Sequence, residues 1–252
     1  MTGRLRLWSD RWPHALANVL IDALLPCSCA LCGDTAATVV CHACQQHHAA
    51  PGGARCPCCA NPLGAHEEAG QRCAGCIAEM PAFDATLAAA DYAAPLDALV
   101  LRLKFGAQLP LAPWFAARLV DAVLAERGWP LPELLCPVPL GPRRLVERGF
   151  NQALEIARPL SAALGVPLQP RLLVRAIDTA AQSGVAPSER AGNIRGAFEV
   201  ADDALEKIQG RHIGVVDDVM TSGHTLNEIA ATLKRAGAAR VSNLVFARTP
   251  PH

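Results

Sequence analysis

Two groups of side chains in this chain have the types and spacing for chemistry. The first is a set of four C-x-x-C pairs: Cys29/Cys32, Cys41/Cys44, Cys56/Cys59 and Cys73/Cys76. A C-x-x-C knuckle presents two thiolates from one tight turn, and two knuckles complete a tetrahedral zinc site. Eight cysteines are enough for two zinc ions. Sequential pairing joins knuckles whose inner cysteines lie nine positions apart (Cys32, Cys41) and fourteen apart (Cys59, Cys73); interleaved and single-metal arrangements stay open. Cys27 and Cys58 are spare thiols able to replace a neighbour in the ligand set. His42, His47, His48 and His66 read as surface histidines, because the cysteine pairs are already complete. Four thiolates leave no position for water, so the pattern fits structural rather than catalytic zinc. Disulfides and redox chemistry are the alternatives, but we find no export signal to favour the first.

The second group lies in "GVVDDVMTSGHTLNEIA", residues 214–230. An apolar run delivers two adjacent acids, Asp217 and Asp218, and a small polar turn then leads into a helical pattern. A turn of Thr221, Ser222, Gly223, His224 and Thr225 offers hydroxyls and backbone N–H groups at a helix N-terminus, a place for phosphate. The plain alternative makes Thr221 or Ser222 a helix cap and the acids a solvated pair at the sheet edge. No G-x-x-x-x-G-K-[ST] loop or Rossmann glycine fingerprint occurs. The supporting acids and late lysine of a phospho-aspartate receiver are not evident in the right order either.

The elements that must position these groups follow from periodicity. Helical patterns cover about 96–104 and 110–126, a short apolar strand covers 134–140, and "NQALEIARPLSAALG" is helical with Leu154, Ala157, Leu160 and Leu164 on one side. Residues 171–177 read as a strand, and a polar glycine-containing segment follows, long enough to be a functional loop. "HIGVVDD" reads as a buried strand, "TLNEIAATLKRAG" as a helix closed by Gly237, and "RVSNLVFART" as a further strand. This order predicts an α/β domain with a mainly parallel sheet, in which ligands bind beyond the carboxyl ends of the strands.

Composition is compatible with this reading. The 252 residues are 51% hydrophobic and 18% charged with zero net charge, enough for a sizeable core and no broad basic surface. Ten of the eleven cysteines fall between Cys27 and Cys76, so the division predicted is an N-terminal helix over 1–26, a double zinc-ribbon module over 27–80 and an α/β domain over 81–252. Residues 1–80 hold five Lys/Arg against six Asp/Glu, which gives no charge argument for nucleic acid on that module. The apolar residues of 13–25 are interrupted by His14, Asn18 and Asp22, a pattern that fits an amphipathic helix better than a signal peptide. No run reaches the roughly 18 to 20 apolar residues of a membrane span. We read the protein as cytoplasmic.

"VVDDVMTSGHT" resembles the phosphoribosyl pyrophosphate (PRPP) motif of type I phosphoribosyltransferases. "VPLGPRRLVERGFNQALEIA" and "QSGVAPSERAGNIRGAFEV" resemble the ComF family, which joins a cysteine-knuckle module to a phosphoribosyltransferase-like domain and is linked to natural competence. The resemblance covers roughly residues 20–250. It implies that Asp217 and Asp218 hold the ribose hydroxyls of PRPP, directly or through Mg2+, and that Thr221, Ser222, Gly223, His224 (through its backbone) and Thr225 cradle the 5'-phosphate. It implies that Arg143, Arg144 and Arg148 supply pyrophosphate donors and that Lys104, in "RLKFGAQ", neutralises phosphate. Residues 179–195 would then be the loop that closes over PRPP, with Gln182, Arg190 and Asn193 its contact candidates. Asn151 also reads as a helix cap. No covalent nucleophile is required, and Cys136 reads as a core residue. The resemblance leaves the acceptor unnamed: no purine or pyrimidine hood is readable, and Tyr92 with six Phe are the Tyr and Phe rings available for stacking. The activity implied is phosphoribosyl transfer to an unknown acceptor, linked to DNA uptake. The alternative is a non-enzymatic adaptor that senses PRPP or nucleotide and contacts single-stranded DNA or a DNA-uptake protein.

Overall fold

The computed structural model describes residues 27–49, 53–64, 70–176 and 196–250. The helix expected over 13–25 and the loop residues Gln182, Arg190 and Asn193 lie outside the described residues. The chain divides into two compact units, Met1–His47 and His48–His252, a boundary that falls inside the stretch assigned above to one cysteine module.

In the first unit, strands β1 (Cys27–Ser28) and β2 (Thr35–Ala36) pair antiparallel, and helix α1 (His42–His48) follows. Gly33, at φ +82°, lets the backbone reverse so that its N–H reaches the Cys29 carbonyl. Helix α1 has no buried residue.

The second unit is built on a four-stranded parallel sheet in the order β3 (Ala85–Asp91), β8 (Arg240–Arg248), β7 (His212–Met220), β4 (Leu134–Pro137). Strands β7 and β8 are the long central pair, and nearly all of their residues are buried, as their apolar runs require. Helices α4 (Leu111–Ala125) and α6 (Gln152–Leu164) pack on each other and on the sheet, where Phe115 stacks on Phe246 at 3.8 Å between ring centroids. The other sheet-facing set, Ile213, Val215, Val241 and Val245, forms one core with Ile229 and Leu233 of helix α8 (His224–Arg235). Cys56, Cys58, Cys59 and Cys76 belong to that same core, so the second group of cysteines is built into the body of the domain.

The strand expected at 171–177 exists as β5 (Leu173–Arg175), but it does not join the parallel sheet. It pairs antiparallel with β6 (Phe198–Val200) as a separate two-stranded ribbon. Strand β3 is absent from the periodicity reading because "ATLAAAD" carries one threonine and one leucine among alanines, with little β-propensity. Helix α3 (Leu96–Gly106) was expected, but four short helices among the described residues escaped the periodicity reading: α1, α2 (Ala74–Ala78), α5 (Pro142–Arg148) and α7 (Leu205–Ile208). Among the described residues no helix is long and apolar enough to cross a membrane.

Gly214 on β7 is required by packing. A Cβ there would lie 2.6 Å from Pro132 Cγ and 2.8 Å from Leu135 Cδ2. Gly214→Ala is therefore expected to destabilise the domain by about 1–3 kcal/mol, the range for overpacking a filled core. Urea unfolding should show a lower midpoint at unchanged slope.

Candidate functional site

Strand β7 does not stop before the acids but runs through them, and this changes their environment. Asp218 is only 2% exposed and is not a solvated edge residue, while Asp217 is half-buried. The Asp218 N–H donates to Asp217 Oδ1 at 2.9 Å. Burial and the adjacent Asp218 charge push the Asp217 carboxyl well above the usual carboxylate range, a shift that Lys104 only partly offsets.

Two side chains meet Asp218, and a third is held through one of them. Lys104, in the last turn of α3, places Nζ 2.6 Å from Asp218 Oδ2. The helix ends just beyond it because Ala107 takes a left-handed cap conformation at φ +50°. Gln152 Nε2 lies 3.5 Å from Asp218 Oδ1, and Gln152 Oε1 accepts from Arg148 Nη1 at 2.5 Å. Arg148 also lies over the Phe105 ring at 5.3 Å from its centroid.

The local fold explains how Arg148 and Gln152 meet. Helix α5 ends at Arg148, and Gly149 at φ +81° turns the chain. Asn151 then starts α6, its Oδ1 accepting from the Ala153 and Leu154 N–H groups at 3.0 and 3.3 Å. Its Nδ2 donates to the Val138 carbonyl at 3.0 Å and fixes the helix start to the end of β4. Asn151 is thus a cap, as one reading of the sequence had it.

A cavity of about 550 Å³ opens beside this cluster, with Lys104, Phe105, Arg144, Arg148, Phe150 and Gln152 in its wall. Arg143 is not in that wall; it pairs with Glu147 one turn along α5, at 2.8 Å on an exposed face. A larger cavity of about 670 Å³ flanks β3, but neither the acids nor the turn residues line it.

The turn Thr221, Ser222, Gly223 follows β7 directly. Gly223, at φ +84°, occupies the N-cap position of α8, and no side chain caps the helix. The expected Thr221 or Ser222 cap is not formed; Ser222 Oγ instead lies 3.1 Å from His224 Nδ1. The first amides of a twelve-residue helix are thus left without a side-chain acceptor, the arrangement that favours an anion. Gln152 is the residue that sequence reasoning passed over. A glutamine at the first position of an amphipathic helix reads as surface, and only the fold buries it against Asp218.

The cysteines fall into the two sequential tetrads, Cys29/Cys32/Cys41/Cys44 and Cys56/Cys59/Cys73/Cys76, with the four sulfurs of each within 4.8 Å of one another. Tetrahedral thiolates around zinc, at about 2.3 Å from the metal, sit about 3.8 Å apart. Cys32 and Cys41 Sγ are 3.8 Å apart, and Cys59 and Cys73 Sγ 3.5 Å. Backbone N–H groups of Leu31 and Cys41 donate to Cys29 Sγ, and that of Cys73 to Cys56 Sγ. Burial alone would raise both thiols, yet such amides draw Cys29 down to about 6 and Cys56 to about 7. Both tetrads fit a tetrahedral metal ion. Cys27 and Cys58 stand outside them, and Cys58 is a core residue with its thiol toward the Phe83 carbonyl. Cys136 is fully buried on β4, and burial pushes its thiol up to about 12, as suits a core cysteine.

The model of the phosphoribosyl transferase domain family matches residues 151–251. DNA utilization protein YhgH of Salmonella typhi is 36% identical over 198 residues, covering 77% of this chain and 84% of that protein. The chain belongs to the ComF family. A second ComF relative, competence protein F of Haemophilus influenzae, is 34% identical over 181 residues, covering 71% of this chain and 79% of its own. Among solved structures, the purine phosphoribosyltransferase of Pyrococcus horikoshii Ot3 aligns at a TM-score of 0.32 and 16% identity over 54% of this chain and 83% of its own, too distant to add to the assignment. The fold of this ComF chain is that of a type I phosphoribosyltransferase domain joined to cysteine tetrads.

The ion pair at Asp218 makes a direct prediction. Lys104→Met leaves a buried carboxylate without its cation and should cost about 3 kcal/mol, the low end for a broken buried pair because Lys104 is itself 22% exposed. Lys104→Met combined with Asp218→Asn should recover most of that loss in chemical denaturation.

Proposed function

We propose that the domain binds PRPP or a closely related phosphorylated ribose. The observation that carries this is one strand, β7, ending in two acids and then in a helix N-terminus without a side-chain cap, beside a cavity with cationic walls. In this reading Asp217 and Asp218 take the ribose hydroxyls. The turn of Thr221, Ser222, Gly223, His224 and Thr225 takes the 5'-phosphate through its N–H groups and hydroxyls. Lys104, Arg144 and Arg148 face the pyrophosphate, and Arg143 reaches it only by leaving Glu147.

The donor set suits a hard divalent ion once Asp217 has given up its proton, since the two acids then offer carboxylate oxygens. Mg2+ bound with PRPP would supply charge neutralisation between pyrophosphate and ribose. The chain's own residues then orient the ribose and hold the departing charge: Arg148, kept in place by Gln152 and Phe105, is the donor best fixed for it. If transfer occurs, the bond from C1' to pyrophosphate breaks and one to the acceptor forms, with no covalent intermediate on the protein. The names of the relatives, competence and DNA utilization, support placing this chemistry in DNA uptake or use. The non-enzymatic reading, a PRPP sensor that contacts DNA or an uptake protein, draws support from Lys104: a cation already sits on Asp218, where a transferase would need a metal-ready carboxylate.

Zinc is the metal we assign to both tetrads, in a structural role, since all eight ligands are thiolates. We keep the division of an N-terminal helix, a cysteine module and a phosphoribosyltransferase-like domain, and a cytoplasmic location, as part of the same proposal.

Calorimetric titration of PRPP with Mg2+ should show saturable binding that falls at least about tenfold, or 1.4 kcal/mol, when Asp217 and Asp218 are both changed to Ala. Equal binding in that double variant would remove the site assignment. Pyrophosphate release across nucleobases and single-stranded DNA separates a transferase from a sensor. Metal analysis of the purified chain should return about two zinc ions, as two tetrads require; about one would leave a tetrad unassigned.

A further inference from the structure

The second cysteine tetrad and the turn after β7 are joined by one buried guanidinium. Arg248, the last residue of β8, is 6% exposed. Its Nε donates to the Cys59 carbonyl at 3.0 Å. Its Nη1 donates to the Met220 carbonyl at 3.1 Å, to that of Thr249 at 2.5 Å, and to that of Thr221. Cys59 is a member of the tetrad, and Thr221 opens the turn to which we assign the phosphate. A guanidinium is a rigid planar fork, so acceptors on two of its nitrogens are held at a fixed spacing. A group buried this deeply also needs its acceptors to stay in place, because water cannot replace them.

Two further observations put the same loops under one constraint. Asn227, in the first turn of α8, accepts the Ala82 N–H at 2.6 Å, on the segment that leaves the tetrad. The tetrad's own sulfurs are buried in the core that holds Leu226 and Ile229 of that helix. Four thiolates around a divalent ion carry two net negative charges, and the Arg248 cation beside Cys59 offsets part of them.

We propose that Arg248 is a positioning residue that makes the second tetrad a structural part of the phosphate turn. Metal held by Cys56, Cys59, Cys73 and Cys76 fixes the knuckle peptide. That peptide fixes Arg248, and Arg248 fixes the carbonyls on which residues 221–225 are hung. Metal occupancy at one end therefore sets the order of the ligand loop at the other. By reciprocity, a ligand seated in the turn slows metal loss from this tetrad. The inference rests on the metal and ligand readings given above, and its test separates them.

Hydrogen–deuterium exchange on the zinc-loaded full chain should show protection at the Asn227 amide, which bonds to the Gly223 carbonyl, and at the Thr249 amide, which bonds to the Met220 carbonyl. Cys73→Ala should speed their exchange about tenfold or more, while the amides of residues 213–216 and 241–245 stay slow. Arg248→Gln should do the same with its zinc retained, and Arg248→Lys should fall between. Unchanged exchange at Asn227 and Thr249 in either Cys73→Ala or Arg248→Gln overturns the coupling; so does acceleration spread evenly over the sheet, which reports general destabilisation. PRPP, used as the probe, should bind about tenfold more weakly to both variants and slow zinc transfer to a chromogenic chelator from the wild type. If PRPP does not bind the wild type at all, the ribose-phosphate reading fails, and the exchange measurement still decides the coupling.

Discussion

A carboxylate sits in the middle of the sheet, and much of the site exists to keep it there. Asp218 is buried on a central strand, where an isolated charge would be costly and would neutralise itself by taking a proton. Lys104 supplies the opposite charge and Gln152 a dipole, each from a different helix. For Lys104 to arrive, α3 must end at the left-handed Ala107; for Gln152 to arrive, Asn151 must cap α6 and grip the end of β4. Arg148 is held through Gln152, so the cationic wall of the cavity inherits its order from the buried acid. The carboxyl of the neighbouring Asp217 is pushed well above the usual carboxylate range by burial and by the Asp218 charge.

The two cysteine tetrads have the same ligands but different physical standing. The first lies in a unit whose helix buries nothing, so a metal held by its tetrad would be that unit's main cross-link. The second is embedded in the core that α8 shares with the sheet, and its cysteines are packing residues as well as ligands. The same C-x-x-C knuckles thus stand in two settings, one in a small unit with little else to pack and one inside the core of a larger unit.

What the sequence disclosed divides along the range of the forces involved. The tetrads were legible because a knuckle is a local device and its partner lies within fourteen positions. Strands β7 and β8 were legible because both faces are buried, and their apolar runs say so. Strand β3 was not, since an alanine-rich stretch becomes a strand only when β8 offers it a parallel edge. The environment of Asp218 was equally hidden. A pair of acids at a predicted strand end reads as solvated, and Lys104 and Gln152 reach it only through long-range folding. The turn and the helix after it were readable from the sequence, whereas the missing side-chain cap at Gly223 is a matter of geometry.

Strand order carries a consequence for how the domain is assembled during synthesis. Strand β8 lies between β3 and β7, so residues 85–91 and 212–220 have no hydrogen-bonded neighbour in common until residues 240–248 are available. Until then β3 has no partner strand in this sheet and β7 pairs only with β4, so both leave open edges of the kind that invites misassociation. Strand β8, carrying Arg248 at its end, closes the sheet and in the same step brings the guanidinium to the Met220 and Thr221 carbonyls.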